Sequence, residues 1–275
     1  MKQFKLMMLG LALSAGFTTQ MQAQEAQSFV HQQSNTEDYV WPTDPQVLTK
    51  LKHWQNQKFG VLMHWGLYSV PGVVESWSIC SEDWIVRERK PTYEEDKAWY
   101  WSQKDSLNPV NFDPGKWADV MKKAGMKYMI FTTKHHDGFC MFDTKYTDFS
   151  IAHGPFGKDP RHNIAKEVFN AYRNKGFMIG CYFSKPDWHS KWFWNPYYAT
   201  PNRRINYKKK QHPDWWQNYR KFTQNQLNEL TTDYGNIDIL WLDGGWITGD
   251  EIGLDTILVD ARKRNPGMIS VDRTI

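Results

Sequence analysis

An apolar run, KYMIFTT, stops abruptly in Lys134, His135, His136 and Asp137, and aromatics resume one glycine later in FCMF. The same event recurs along the chain. KFGVLM ends in His64 and Trp65, FMIGCYF in Ser184 with Tyr182 two residues before it, IDILWL in Asp243, and MISV in Asp272 and Arg273. These residue types carry chemistry. An imidazole can donate and accept hydrogen bonds or ligate a metal, and a carboxylate can act as a nucleophile or stabilise a cation. For the histidine pair three readings stand: a metal site, a substrate pocket, or a strand end that is merely polar.

Such residues act together only if a scaffold gathers the run ends. Between the runs lie helical segments. In FDPGKWADVMKKAGM (112–126), Asp113 fits an N-cap, Pro114 the first helical position and Gly125 the C-terminal side. RHNIAKEVFNAYRNKG (161–176), HPDWWQNYRKFTQNQLNELTTDYG (212–235) and IGLDTILVDARKRNPG (252–267) also read as helices closed by glycine. Near-continuous apolar strands alternating with amphipathic helices imply a parallel sheet covered on its outer face. Short helix-to-strand links and long, aromatic strand-to-helix links point to an α/β fold of the (β/α)8 or TIM-barrel kind, with the site at the C-terminal strand ends. A doubly wound sheet is the alternative, but no glycine-rich phosphate turn follows the first strand. The chain stops at Ile275, just past the fifth predicted strand. The expected organisation is a signal peptide (1–23), a polar lead-in (24–50) and the N-terminal portion of a catalytic barrel (51–275) that is incomplete at its C-terminus.

Strand alternation sharpens the candidates. Ile239, Trp241 and Asp243 share one face of their strand, while Leu240 and Leu242 share the other and suit the helix-facing side. Asp243 then sits at the barrel mouth with Trp241 beneath it. Asp238 opens the same strand, where a structural role is expected. Zinc barrels typically announce themselves with H-x-H on the first strand. Here that strand has a single histidine, and adjacent His135 and His136 face opposite ways unless the strand breaks, which counts against a metal.

Composition bounds the partners. Lys2 and Lys5, an apolar run to about Phe17 and the small Ala23 lay out a secretory signal, too short to span a bilayer. Export to the periplasm or exterior of a bacterial cell is expected, without a membrane anchor. Without those two lysines the 34 basic residues fall to 32 against 30 acids, a net charge of +2. That balance disfavours nucleic acid or a membrane surface as partner. Three cysteines, Cys80, Cys140 and Cys181, do not make a disulfide framework. The unusual feature is 15 Trp, 13 Tyr and 15 Phe, many in polar loops such as DWHSKWFWNPYY (187–198). Aromatic faces beside polar groups suit a carbohydrate ligand, though pockets in general favour aromatics.

KFGVLMHWGLYSVPG, AGMKYMIFTTKHHDGFCMFDTKYTDF, GCYFSKPDWH and ILWLDGG carry HWG, KHHDGF and W-x-DG in order on successive predicted strands. From about residue 50 onward the chain resembles glycoside hydrolase family 29, the α-L-fucosidases. The resemblance implies a (β/α)8-like catalytic domain followed by a β-sandwich, exo-acting hydrolysis of terminal α-L-fucose with retention, a fucosylated glycan as substrate, and no metal or cofactor. It makes Asp243 the nucleophile. His64, His135 and His136 match residues that hold fucose hydroxyls, and Arg273 matches a sugar-contacting arginine. Tyr182, with Phe183 as the alternative, corresponds to a site aromatic, and Trp241 joins the substrate-binding set. Glu75 and Trp77, in VVESWSICSEDW, resemble an E-W segment near the sugar with one residue inserted. The family's acid/base glutamate is expected beyond residue 275, because Glu251 follows Asp243 too closely and opens a helix. A sugar-binding fragment without activity and a metal-dependent barrel hydrolase are the alternatives. Nothing bears on the oligomeric state.

Overall fold

The computed structural model describes residues 41–81, 91–200 and 202–273. The expected signal peptide lies outside the described residues. Five parallel strands form one sheet in sequential order: β1 Gly60–Met63, β2 Tyr128–Lys134, β3 Met178–Ser184, β4 Ile239–Asp243 and β5 Ile269–Asp272. Each strand pairs with its neighbour in sequence and the order never reverses, which is barrel topology and not that of a doubly wound sheet.

The helices start where local chemistry dictates. α1 (Pro45–Gln57) is capped by Asp44, whose carboxylate accepts the Gln46 N–H at 2.8 Å. The last residues of the expected lead-in are therefore helical. α2 (Tyr93–Ser102), which the hydrophobic pattern did not reveal, opens with a reciprocal capping box between Thr92 and Glu95. α3 (Pro114–Lys123) starts at Asp113 and Pro114 as expected, with Asp113 accepting the Lys116 N–H at 3.0 Å. α4 (Ile164–Asn174), α5 (Pro213–Asp233), α6 (Gly249–Ile252) and α7 (Leu254–Arg264) complete the described helices.

Alternation divides the apolar side chains into two clusters. Phe131, Ile179, Cys181, Phe183, Leu240 and Leu242 pack outward with Ala118, Val168, Phe169 and Leu227 of the helices. Ile130, Tyr182, Ile239 and Ile269 face the other way with Val47 of α1, and Trp241 packs partly buried against them. The predicted split within β4 is thus observed: Leu240 and Leu242 lie on the helix side, Ile239 and Trp241 inside. Asp238, at the start of β4, is structural. Its carboxylate meets Lys50 of α1 at 2.5 Å and accepts the Ile179 N–H at 2.9 Å, so it ties α1 to the strand starts. All three cysteines are buried and free.

Candidate active site

The site is built at the strand C-termini, and β2 shows how the histidine pair enters it. The register of β2 on β3 shifts between Thr132, opposite Tyr182, and Lys134, opposite Phe183. That bulge places one extra residue on β2 and inverts its phase. Lys134 consequently points outward into the core, fully buried, with its ammonium 3.1 Å from Asp187, 3.0 Å from the Gln226 amide oxygen and 4.2 Å from the Phe183 ring centre. The strand ends there and a turn follows, closed by the Gly138 N–H donating to the His135 carbonyl at 3.1 Å. Gly138 has φ 84°, and a Cβ there would lie 2.2 Å from an Asp187 carboxylate oxygen, so glycine is required on both counts. Asp137 holds the turn from within, accepting the Phe139 N–H at 2.9 Å and the Tyr100 hydroxyl of α2. Burial lifts its carboxyl to about 6, against the opposing pull of those hydrogen bonds.

Bulge and turn together bring both imidazoles to one place, with ring centres 4.3 Å apart. The strand breaks before the pair, which is the condition under which adjacent histidines need not face opposite ways. His64, at the end of β1, completes the group with its ring 5.4 Å from His135 and 4.9 Å from Tyr182. Each imidazole has its Nδ1 occupied. His64 Nδ1 meets the Thr132 hydroxyl at 2.6 Å, His135 Nδ1 meets the Ser76 hydroxyl, and His136 Nδ1 meets the Ser184 hydroxyl at 2.5 Å. Ser184 also donates to the Pro186 carbonyl at 2.8 Å. A hydroxyl has one proton and the carbonyl can only accept, so Ser184 accepts from His136 Nδ1–H. His136 is thereby fixed as the tautomer whose Nε2 is a bare acceptor. Burial holds the His135 and His136 imidazoles well below the usual histidine range, and His64 is lowered by the same cause. With Nδ1 engaged, each imidazole has only Nε2 left for a ligand, and His136 offers it as an acceptor.

Asp243 closes β4 opposite them. Its Oδ1 accepts the Gly244 N–H at 2.8 Å and lies 3.3 Å from the Arg273 guanidinium, and its Oδ2 accepts the Tyr182 hydroxyl at 2.6 Å. Burial, and then the Asp243 charge, push the Tyr182 phenol well above its ordinary value, so it stays a donor. Gly244, at φ 92°, turns the chain sharply, and a Cβ there would lie 2.1 Å from the Pro186 ring.

The inserted residue in the E-S-W segment resolves simply. Glu75 takes a left-handed φ of 44° and begins a 3-10 turn over Glu75–Ile79. Its carboxylate comes 3.5 Å from His135 Nε2, Ser76 supports His135 from the other nitrogen, and Trp77 packs 5.1 Å from the His136 ring. A non-glycine residue in that region costs about 1–2 kcal/mol, and here it sets three side chains against the histidines. His64, Glu75 and His135 each present one ligand atom within 4.8 Å of the others, a set that could hold a metal ion.

The structure therefore gathers His64, Glu75, Trp77, His135, His136, Tyr182, Asp243 and Arg273. Trp241 remains with the interior cluster below Asp243. Two tryptophans went unread in the sequence. Trp246 packs 5.0 Å from His136 and 5.7 Å from Trp77. Trp188 lies 5.3 Å from His136, and its backbone N–H donates to the His136 carbonyl at 2.8 Å. Both stand in conspicuous segments, after Gly244–Gly245 and in the aromatic loop, but position along a loop does not show which way a ring turns.

A sequence model described as α-L-fucosidase matches residues 26–275. The chain belongs to the α-L-fucosidase family. The plasma α-L-fucosidase of Homo sapiens is 29% identical over 211 residues, covering 71% of this chain and 40% of that protein. Among solved structures, α-L-fucosidase isoenzyme 1 from Paenibacillus thiaminolyticus superposes with a TM-score of 0.65 at 32% identity, over 82% of this chain and 50% of that one. A GH29 α-L-fucosidase from Bacteroides thetaiotaomicron superposes with a TM-score of 0.61 at 30% identity, over 85% and 49%. The chain thus spans about half the length of these two bacterial proteins and less of the human one, and its fold is α/β of the TIM-barrel kind.

Proposed function

We propose that this chain carries the fucose site of an exo-acting, retaining α-L-fucosidase with Asp243 as nucleophile. The observation that supports it best is the Asp243 carboxylate, oriented by Tyr182, Gly244 and Arg273, facing a wall of neutral histidines. A sugar presents hydroxyls that both donate and accept, and the three Nε2 atoms left by the Nδ1 contacts meet them, His136 as an acceptor. His64, His135 and His136 hold those hydroxyls, and Glu75 strengthens the His64–His135 side. Trp77 supplies a face for the apolar side of the ring. Asp243 attacks the anomeric carbon as the glycosidic oxygen departs, forming a glycosyl–enzyme ester, and water then releases fucose with net retention. The Bacteroides relative was trapped as a covalent intermediate with 2-fluoro-fucosyl fluoride, which supports the same course here.

A retaining mechanism needs a second carboxyl about 5–5.5 Å from the nucleophile to protonate the leaving oxygen. Glu251 does not suit that role. It closes a capping box with Thr248 and pairs with Lys209, and these partners outweigh burial to hold it below the usual glutamate range. We assign the acid/base to a glutamate other than Glu251. The substrate is a glycan bearing terminal α-L-fucose. Export is part of the proposal through residues 1–23, and no helix among the described residues is long and apolar enough to cross a membrane.

The test is Asp243→Ala assayed on an aryl α-L-fucoside, with the anomer first released by the parent followed by NMR. Activity within tenfold of the parent, or an inverted first product, would sink the assignment. The His64–Glu75–His135 cluster favours a second reading, a metal-assisted hydrolase, which chelation followed by zinc restoration separates from the first.

A further inference from the structure

One wall beside the candidate fucose site is strongly basic. NRRINYKKK, residues 202–210, contains Arg203, Arg204, Lys208, Lys209 and Lys210 and no acid, in a chain otherwise close to charge balance. The Arg203 guanidinium lies 4.8 Å from the ring centre of Trp77 and 5.2 Å from that of Trp246, the two indoles that flank His136. Arg203 and Arg204 line a cavity of about 700 Å³ together with Asn202, Gly245 and Trp246. Glu251 also lines it but is paired with Lys209, so it brings no net negative charge to the wall. The Trp246 indole N–H is buried and has no hydrogen-bond partner. Gly245, two residues past Asp243, is part of the cavity lining.

We propose that this cavity is the subsite for the sugar from which fucose is cleaved, and that it selects an acidic sugar carrying a sulfate ester or a carboxylate. The proposal rests on the fucosidase reading and adds the charge class of the substrate. Trp246 lines the cavity and packs 5.0 Å from His136, so a sugar linked to a fucose held by His136 is within reach of it. The Arg203 guanidinium lies over both indole rings, so an acidic group entering here meets a cation held against an aromatic wall. Planar guanidinium groups match sulfate and carboxylate oxygens with paired hydrogen bonds. The neighbouring lysines draw anionic glycans toward the mouth, an effect that salt screens.

The experiment uses the full-length protein and three α-L-fucosyl disaccharides that differ only in the second sugar: neutral, sulfated and carboxylated. An aryl α-L-fucoside serves as the control. At about 20 mM salt kcat/KM for at least one acidic substrate should exceed that for the neutral one by roughly three- to tenfold, and the gap should close by about 500 mM. Arg204 is exposed, and Arg204→Gln should cut the acidic-to-neutral ratio at least about threefold, with Arg204→Lys restoring part of it. The acidic substrate that gains identifies the anion. Aryl fucoside cleavage with no acidic preference, or a preference indifferent to both salt and Arg204→Gln, would overturn this proposal alone. Failure to cleave any fucoside would remove the hydrolase reading and this one with it.

Discussion

Ser184→Ala removes one hydroxyl from the end of β3 and with it the group that sets the tautomer of His136. Ser184 is fully buried and holds His136 Nδ1 at 2.5 Å while donating to Pro186 at 2.8 Å. Alanine leaves the His136 Nδ1–H without an acceptor in a dry site. A buried donor left unpaired costs about 1–3 kcal/mol. The imidazole can escape part of that by moving its proton to Nε2, which turns the acceptor offered to a sugar hydroxyl into a donor. The hydroxyl can rotate in answer, so the loss in transition-state binding is partial, about 1–2 kcal/mol. That corresponds to a fall of roughly 5- to 30-fold in kcat/KM. On the proposed reading Ser184 acts through His136 and not on the sugar, as a positioning residue, and activity alone would not distinguish positioning from general damage. The deciding readout is the pair of imidazole 15N shifts of His136, which report the protonated nitrogen. They should indicate Nδ1–H in the parent and move toward Nε2–H in Ser184→Ala, while Ser184→Thr keeps the parent pattern. Unchanged 15N shifts together with kcat/KM within twofold of the parent would refute the tautomer argument.

If Asp243 is the nucleophile as proposed, Asp243→Ala should lower turnover of an aryl α-L-fucoside by at least about 1000-fold with an unchanged circular dichroism spectrum. Exhaustive chelation should leave activity intact; loss with recovery on zinc would transfer His64, Glu75 and His135 to a metal. Thermal stability should rise from pH 5 to pH 7. The imidazoles of His135 and His136 lie well below 6.5 when folded, so the unfolded chain binds more protons as pH falls below that value. Asp137, lifted to about 6, acts in the opposite sense between 3.8 and 6, because there the folded chain holds the extra proton. Two histidines outweigh one carboxyl, and Asp137→Asn should steepen the slope; a flat melting profile would contradict the burial of the pair. Gly138→Ala should lower the melting temperature by about 5–15 °C, from about 2–4 kcal/mol of left-handed strain and collision with Asp187.

The sequence was readable wherever period and punctuation carry the information. Alternation in ILWLD assigned Leu240 and Leu242 outward and Trp241 inward, because a strand leaves a side chain two choices. Asp113 and Pro114 announced α3 through its cap. α2 stayed hidden because YEEDKAWYWS has almost no apolar stripe, and its capping box lies outside any hydrophobic pattern. Trp246 and Ser76 stayed hidden because loop conformation, not residue type, turns them toward the histidines.

What the sequence left open at His135 and His136, whether the strand breaks before them, has a definite answer. Period-two reasoning holds only while the ladder is continuous, and β2 gains a residue between Thr132 and Lys134. Once the phase is inverted, the lysine of KHHDGF belongs to the core and the histidine after it to the site. The buried Lys134–Asp187 pair then explains why the break is retained. Asp187 accepts the backbone N–H groups of His189 and Ser190 at 3.1 and 2.9 Å, so the lysine anchors the start of the loop that carries Trp188. Restoring regular alternation would take Lys134 out of the core and leave Asp187 buried without its cation, which costs about 3–5 kcal/mol. The bulge that spoiled the sequence rule is thus the feature that joins the histidine turn to the aromatic wall.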